Sequence, residues 1–494
     1  MESLRKKTLR GVAWTFLEKL GTQLVHFVVT IVLARLLAPH DYGVIGMLAV
    51  FLSISQLFVD CGFGSAIIRK KDRTDADYST VFWYNLVISL FCYCLLFAAA
   101  PIIADFYSMP ILTDILRVIG LNLVIHALYA IQVTRLTALV QFGIQAKIAI
   151  VSAVASGMIG IYLAYCGCGA WALVAQSMGA AVFSAILFWT FSGWWPRFCF
   201  SGKSFHQLFG FGSRLMLANS LHTVYTNISP LIIGRKYSAA DLGFYSRGDT
   251  LAALPGGFFQ STLGRVIYPV LSSIQNDESR LKTTYNKYLR LITSLVVPSM
   301  LLFAVCAKPI TTLLIGEKWL PCVPYFQLLA IAWICDPIIL VNLNVLYVKG
   351  RSDIVLKLEI IKKLIAIAIV VTAVQFGIIW LCLGRVLYAY IALGLNIYYC
   401  GPFLGMSFLS QVKEVLPIYV CSGISSALAY SVLHYGYSMA SHPQNSVIYS
   451  LVILTISAGV GLFVYALSAW LLKFDIAMEA MVAANNVFRK LRRA

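Results

Sequence analysis

Apolar residues run through this chain in blocks of about twenty, separated by short polar breaks or by Pro/Gly clusters, and that spacing is the length an α-helix needs to cross a bilayer. The breaks define 14 spans, at roughly 12–37, 43–66, 80–104, 112–134, 147–166, 169–192, 209–234, 244–274, 288–306, 322–347, 359–377, 379–400, 413–434 and 446–472. The runs are too long and too continuous for the ten-residue alternation of an outer-membrane barrel. The reading is an all-α polytopic membrane protein. Its inside and outside turns are all short, so no soluble domain is expected.

Two breaks read as copies of each other. Ala34-Arg35-Leu36-Leu37-Ala38-Pro39-His40-Asp41-Tyr42-Gly43 lies between the first two spans. Gly234-Arg235-Lys236-Tyr237-Ser238-Ala239-Ala240-Asp241-Leu242-Gly243 lies between the seventh and eighth. In each, a small residue and an Arg close the incoming helix, an Asp follows six residues after the Arg, and a Gly follows two residues later. Their placement in two similar series of spans points to internal duplication, a common plan among transporters. The domains expected are residues 1–207, 208–402 and 403–494, that is, two six-helix lobes and a two-helix extension.

Composition agrees. The chain is 60% hydrophobic and 12% charged over 494 residues, against about a quarter charged in soluble proteins. Its net charge is +18, and the basic residues are unevenly placed. Alternate breaks, counted from the N-terminus, hold 26 of them, and the intervening breaks hold only Arg35, Arg235, Lys236, Lys308 and Lys318. The positive-inside rule then puts both termini in the cytoplasm. The charge is explained as topology and lipid attraction, not nucleic-acid binding. The basic N-terminus, Met1 to Arg10, is followed by no cleavage site and reads as part of a retained first helix. Twelve cysteines follow no metal or disulfide spacing and read mainly as small buried hydrophobes. There is no Walker loop, metal-ligand cluster or nucleophile elbow.

Three stretches carry a family resemblance. They are Trp14-Thr-Phe-Leu-Glu18-Lys19, Leu33-Ala-Arg35-Leu-Leu-Ala-Pro39-His-Asp41-Tyr-Gly43 and Phe58-Val-Asp60-Cys-Gly62-Phe-Gly64-Ser-Ala66-Ile-Ile-Arg69-Lys70. Gly243-Phe-Tyr-Ser-Arg247 and Lys308-Pro309 through Trp319 add to it. Together they resemble bacterial Wzx-type polysaccharide exporters, closest to the colanic-acid-exporter-like group of the multidrug/oligosaccharidyl-lipid/polysaccharide exporter superfamily. The resemblance implies two pseudo-symmetric lobes, a central cavity lined by helices 1, 2, 7 and 8, and a polyprenyl-diphosphate-linked oligosaccharide as substrate. It places the chain in the bacterial inner membrane.

A charge at membrane depth costs roughly 2.5–3.5 kcal/mol even on the lenient insertion scale, so each one needs a cavity or a partner. The expected cavity residues are Glu18, Lys19 and His26 on helix 1, Arg214, Asn219 and His222 on helix 7, and Arg247 and Arg265 on helix 8. Arginine suits a diphosphate because its planar fork stays protonated; the alternative for Arg214 and Arg265 is snorkelling to an interface. Asp60, Gly62 and Gly64 predict a bend in helix 2, and Pro255, Gly256 and Gly257 a matching break in helix 8, as hinges for alternating access or as close-packing positions. Arg117 with Asp114, Asp336 and Arg385 read as isolated interhelical structure.

The expected activity is flipping of the lipid-linked repeat unit for surface polysaccharide export, with no cofactor. A coupling ion, H+ or Na+, would draw on Glu18, Asp60 or the histidines, and downhill flow is equally compatible. A polysaccharide polymerase machinery is the expected partner. A small cationic-drug exporter would call for an acidic, aromatic cavity. A glycan polymerase or ligase would call for a large outward loop with catalytic arginines.

Overall fold

The computed structural model describes residues 21–439 and 447–472. Glu18 and Lys19 lie outside the described residues, and the side chains of His222 and Arg265 lie outside the description of their helices. Among the described residues all regular structure is helical, as it must be where no water can satisfy the backbone.

The first compact unit is Met1–Gly243. It contains α1 (Gly21–Leu36), α2 (Pro39–Asp60), α3 (Phe63–Arg69), α4 (Asp75–Tyr107), α5 (Ile111–Ile119), α6 (Leu121–Ala138), α7 (Phe142–Tyr165), α8 (Ala170–Phe191) and α9 (Gly202–Lys236). The second, Phe244–Ala494, takes most of α10 (Ala239–Ser273) and then α11 (Glu278–Val305), α12 (Ala307–Leu314), α13 (Val323–Trp333) and α14 (Cys335–Val348). It continues with α15 (Ser352–Ala373), α16 (Ile378–Cys400), α17 (Phe408–Met439) and α18 (Val447–Leu471). Among the described residues, ten segments are long and apolar enough to cross a membrane. Adding α1, α9, α10 and α15, which are shorter or more polar, gives the expected fourteen.

The first compact unit extends to Gly243, because α9 packs against α2, α3 and α4. The expected break at Gly377 is real: its φ is +121°, open to glycine and strained for anything else, and α16 starts there. The expected bend in helix 2 is a full interruption. Cys61 (φ 40°) and Gly62 (φ 68°) are both left-handed and separate α2 from α3. The matching break in helix 8 is absent. α10 runs without interruption through Pro255, Gly256 and Gly257, since a proline inside a spanning helix is tolerated when neighbours compensate. There Gly256 gives room to the Trp333 ring, which a β-carbon would meet at 3.0 Å.

Local chemistry fixes the ends around the interruption. The Thr74 N–H donates to Asp77 Oδ2 at 2.9 Å, and the Thr74 hydroxyl accepts from the Asp77 N–H at 3.3 Å, forming the reciprocal box that starts α4. Asp77, fully buried, also receives Lys70 Nζ at 2.7 Å, which ties the end of α3 to the start of α4. Segment 192–201 is strapped to α4 in the same way. The Arg197 N–H donates to Ser79 Oγ (3.0 Å), the Ser201 N–H to Thr80 Oγ1 (3.0 Å) and Trp83 Nε1 to the Arg197 carbonyl (2.9 Å).

Candidate functional site

The interruption at Cys61-Gly62 opens a polar pocket in the first unit, with a volume of about 380 Å³. The last turn of α2 supplies Leu57 and Asp60, α3 and the residue before it Gly62, Gly64 and Ser65, and α4 Asn85. α6 supplies His126, Ile131 and Thr134, and α9 Leu215, Met216 and Asn219. The glycines are required twice over. A β-carbon on Gly62 would lie 2.7 Å from the Gly212 carbonyl, and one on Gly212 would lie 2.4 Å from the Cys61 carbonyl. α9 therefore crosses the break at backbone-to-backbone distance, which only small residues permit. Behind the pocket, Phe63, Tyr78, Val81, Phe82 and Ile131 form a buried cluster that holds the short helix in place.

Within the pocket, Gln56 Nε2 donates to Asp60 Oδ1 at 3.0 Å and lies 2.9 Å from His126 Nδ1. One amide NH2 has two protons, so it serves both, and His126 Nδ1 then accepts while its Nε2 carries the proton. Asp60 and His126 are 3.9 Å apart and both partly open, with side chains 49% and 35% exposed. Asn85 is buried, and its amide nitrogen, assigned from the acceptors around it, donates to the Val59 carbonyl at 3.0 Å. Among the described residues, no Lys or Arg lines the pocket.

Of the residues expected at a site, Asp60, Gly62, Gly64 and Asn219 meet here. Arg214 is exposed on α9 in the first unit and has no ion pair among the described residues. Arg247 belongs to the second unit, partly buried, on the turn where Gly248 packs against Cys322, Tyr325 and Phe326. The structure thus assigns the two arginines to different compact units. His26 is exposed on α1. Gln56, Asn85, His126 and Thr134 had no sequence signal beyond being single polar residues in apolar runs.

The two hairpins also meet. A β-carbon on Gly43 would fall 1.6 Å from the Ala239 carbonyl oxygen, and one on Gly243 would fall 2.0 Å from the Pro39 oxygen. Because Pro39 and Ala239 are equivalent in the repeat, as are Gly43 and Gly243, the contact is reciprocal. The repeated Asp has a local role: Asp41 accepts the Ala38 N–H (2.9 Å), and Asp241 accepts the Ser238 N–H (3.1 Å) and hydroxyl (2.7 Å). Both carboxylates sit in a first helical turn, where the dipole favours them. The guanidinium of Arg235 lies 5.2 Å from the centre of the Phe106 ring, and Arg35 is exposed.

The intramembrane charges read as isolated resolve into partners. Arg117 stacks on Phe97 at 4.4 Å. Asp336 shares one electrostatic neighbourhood with Arg385, Lys362, Lys363 and Asp249, and Lys362, 6% exposed, pairs with Glu359. Lys362 and Lys363, two of the 26 basic residues assigned above to the breaks, thus belong to a polar cluster inside the second unit. No group of three or more metal-ligating side chains occurs among the described residues.

A family model described as "Polysaccharide biosynthesis protein" matches residues 32–324, more than half of the chain. The chain belongs to that family. It is 26% identical over 430 residues to the lipopolysaccharide biosynthesis protein WzxC of Escherichia coli K12, covering 85% of this chain and 86% of that one. It is also 26% identical over 387 residues to an uncharacterized membrane protein in the cps region of Klebsiella pneumoniae, covering 76% and 78%. Among solved structures, the inward closed conformation of the lipid II flippase MurJ shares the fold, with a TM-score of 0.74 over 94% of this chain and 99% of that one at 14% identity. The family member is a multi-pass membrane protein with this all-helical fold.

Proposed function

We propose that this polysaccharide biosynthesis family member carries a polyprenyl-diphosphate-linked oligosaccharide repeat unit from the cytoplasmic to the outer leaflet of a bacterial inner membrane, by alternating access. Family membership over more than half of the chain carries the reading. The fold shared with a lipid II flippase supports the transport step. The protein makes and breaks no covalent bond in this account. Arg214 offsets the diphosphate charge in the first unit, and Arg247 is the corresponding candidate in the second. The hairpin contact at Gly43 and Gly243 is the closure that must open for release. Both termini face the cytoplasm, where the basic breaks hold the anionic leaflet.

A polymerase or ligase reading lacks its catalytic loop: connections among the described residues are short, the longest being the strapped segment 192–201. A drug exporter would leave the arginines without an anion. The test is deletion of the gene in its own host. Lipid-linked repeat units should accumulate facing the cytoplasm, with surface polysaccharide restored by wild type and not by Arg214→Ala or Arg247→Ala protein that still inserts. Full-length repeat units accumulating on the outer face would assign the protein to polymerisation instead.

A further inference from the structure

We infer that the pocket at the α2–α3 interruption is a sugar-binding subsite, holding one sugar ring of the transported glycan through hydrogen bonds to the Asp60 carboxylate and to uncharged side chains; this rests on the flippase reading above. The lining excludes the other parts of such a substrate. A diphosphate placed beside Asp60, with no Lys or Arg in the wall among the described residues, would face like charge while losing its hydration. A polyprenyl tail would strand Asp60, His126 and the flanking amides without water.

A sugar ring is the chemical complement. Its hydroxyls donate to the Asp60 carboxylate and accept from His126 Nε2–H, whose tautomer is set by Gln56 at 2.9 Å. Ser65, Asn85, Thr134 and Asn219 can both donate and accept. Its C–H faces suit Leu57, Ile131, Leu215 and Met216. The volume, about 380 Å³, lies in the range of small-molecule sites, roughly 300–1,000 Å³. Gly62, which lines the pocket, belongs to the left-handed pair Cys61-Gly62, so the subsite rides on the segment where helix 2 is interrupted.

The experiment uses the full chain in nanodiscs and two probes: the lipid-linked repeat unit extracted from cells lacking this protein, and bare undecaprenyl diphosphate. Wild type should bind the glycosylated lipid about tenfold more tightly, the worth of one hydrogen bond to a charged group. Asp60→Asn and Asn219→Ala should reduce that preference to within about twofold while leaving the affinity for bare lipid unchanged. Arg214→Ala should weaken both probes equally. Asp60→Asn keeps the side-chain shape, and a thermal melt of each variant identifies any that fail to fold. An undiminished preference in both pocket variants overturns the proposal. So does equal binding of the two lipids by wild type, and so does Na+ alone raising the melting temperature through Asp60 while the glycan has no effect. If wild type binds neither lipid, the flippase reading itself falls.

Discussion

Replacing Gly43 with alanine puts a methyl group where the structure has no space. The new β-carbon would lie 1.6 Å from the Ala239 oxygen and 2.4 Å from its carbonyl carbon, whereas ordinary contact begins at 3.4 Å. The obstacle is backbone, so it cannot swing aside as a side chain would, and the hairpins must separate by about 1.8 Å, the difference between 3.4 and 1.6 Å. Overpacking of this kind costs typically 1–3 kcal/mol. If the hairpins part in one transport state and touch in the other, that cost shifts the equilibrium roughly 5- to 150-fold toward the parted state. Spin labels at His40 and Ser238, both exposed, read the separation directly once the exposed Cys94, Cys166 and Cys168 are replaced. The short distance should dominate in wild type and give way to a longer one in Gly43→Ala, with Gly243→Ala shifting it the same way. Gly257→Ala is the control, since nothing lies within 4 Å of its β-carbon position. Unchanged distances and normal export in Gly43→Ala would refute the idea that the reciprocal glycines set the closed state.

Further outcomes follow from single contacts. Tyr285 is fully buried, with its hydroxyl 2.7 Å from Asn342 Oδ1 and 2.8 Å from Gln411 Oε1; Tyr285→Phe should destabilise the protein by about 1–3 kcal/mol in a thermal melt, and an unchanged melt would mean the amides find other partners. Arg385→Leu removes the first of the three cations that bear on Asp336, leaving Lys362 and Lys363, and should lower the melting temperature. Adding Asp336→Leu should recover most of that loss in a double-mutant cycle, and purely additive losses would show the two are not coupled. Asp41→Ala removes the carboxylate that accepts the Ala38 N–H and should speed amide exchange in the first turn of α2, with a cost of about 0.5–2 kcal/mol; unchanged exchange would mean that water or neighbouring backbone caps the helix equally well.

The spans were legible because each apolar run must be long enough to cross the bilayer, and a glycine such as Gly377 leaves its mark where the chain turns. The hairpins were legible as a repeat, though what Asp41 and Gly43 each do became clear only from the structure: one caps a helix and the other admits a backbone. Pro255-Gly256-Gly257 misled, because proline and glycine signal a break only where neighbours do not compensate, and Trp333 packs against Gly256. The pocket was half legible. Asp60 and the glycines stood out, whereas His126 and Asn85 reach it from α6 and α4 as single polar residues in apolar helices, which carry no periodic signal. The second unit's cluster was hidden for the same reason: Asp336 and Arg385 lie on different helices, and only packing brings them into one neighbourhood with Lys362 and Lys363. The unit boundary at Gly243 depends on which helices α9 touches, a fact of tertiary contact alone.

The most direct measurement reconstitutes the full chain into sealed vesicles loaded with its labelled lipid-linked repeat unit and follows how much of the label becomes accessible to a membrane-impermeant glycosidase. The account predicts that the wild-type protein exposes label initially confined to the inner leaflet, and that Arg214→Ala protein, inserted to the same level, does not. Vesicles with and without the protein giving the same accessible fraction would contradict it.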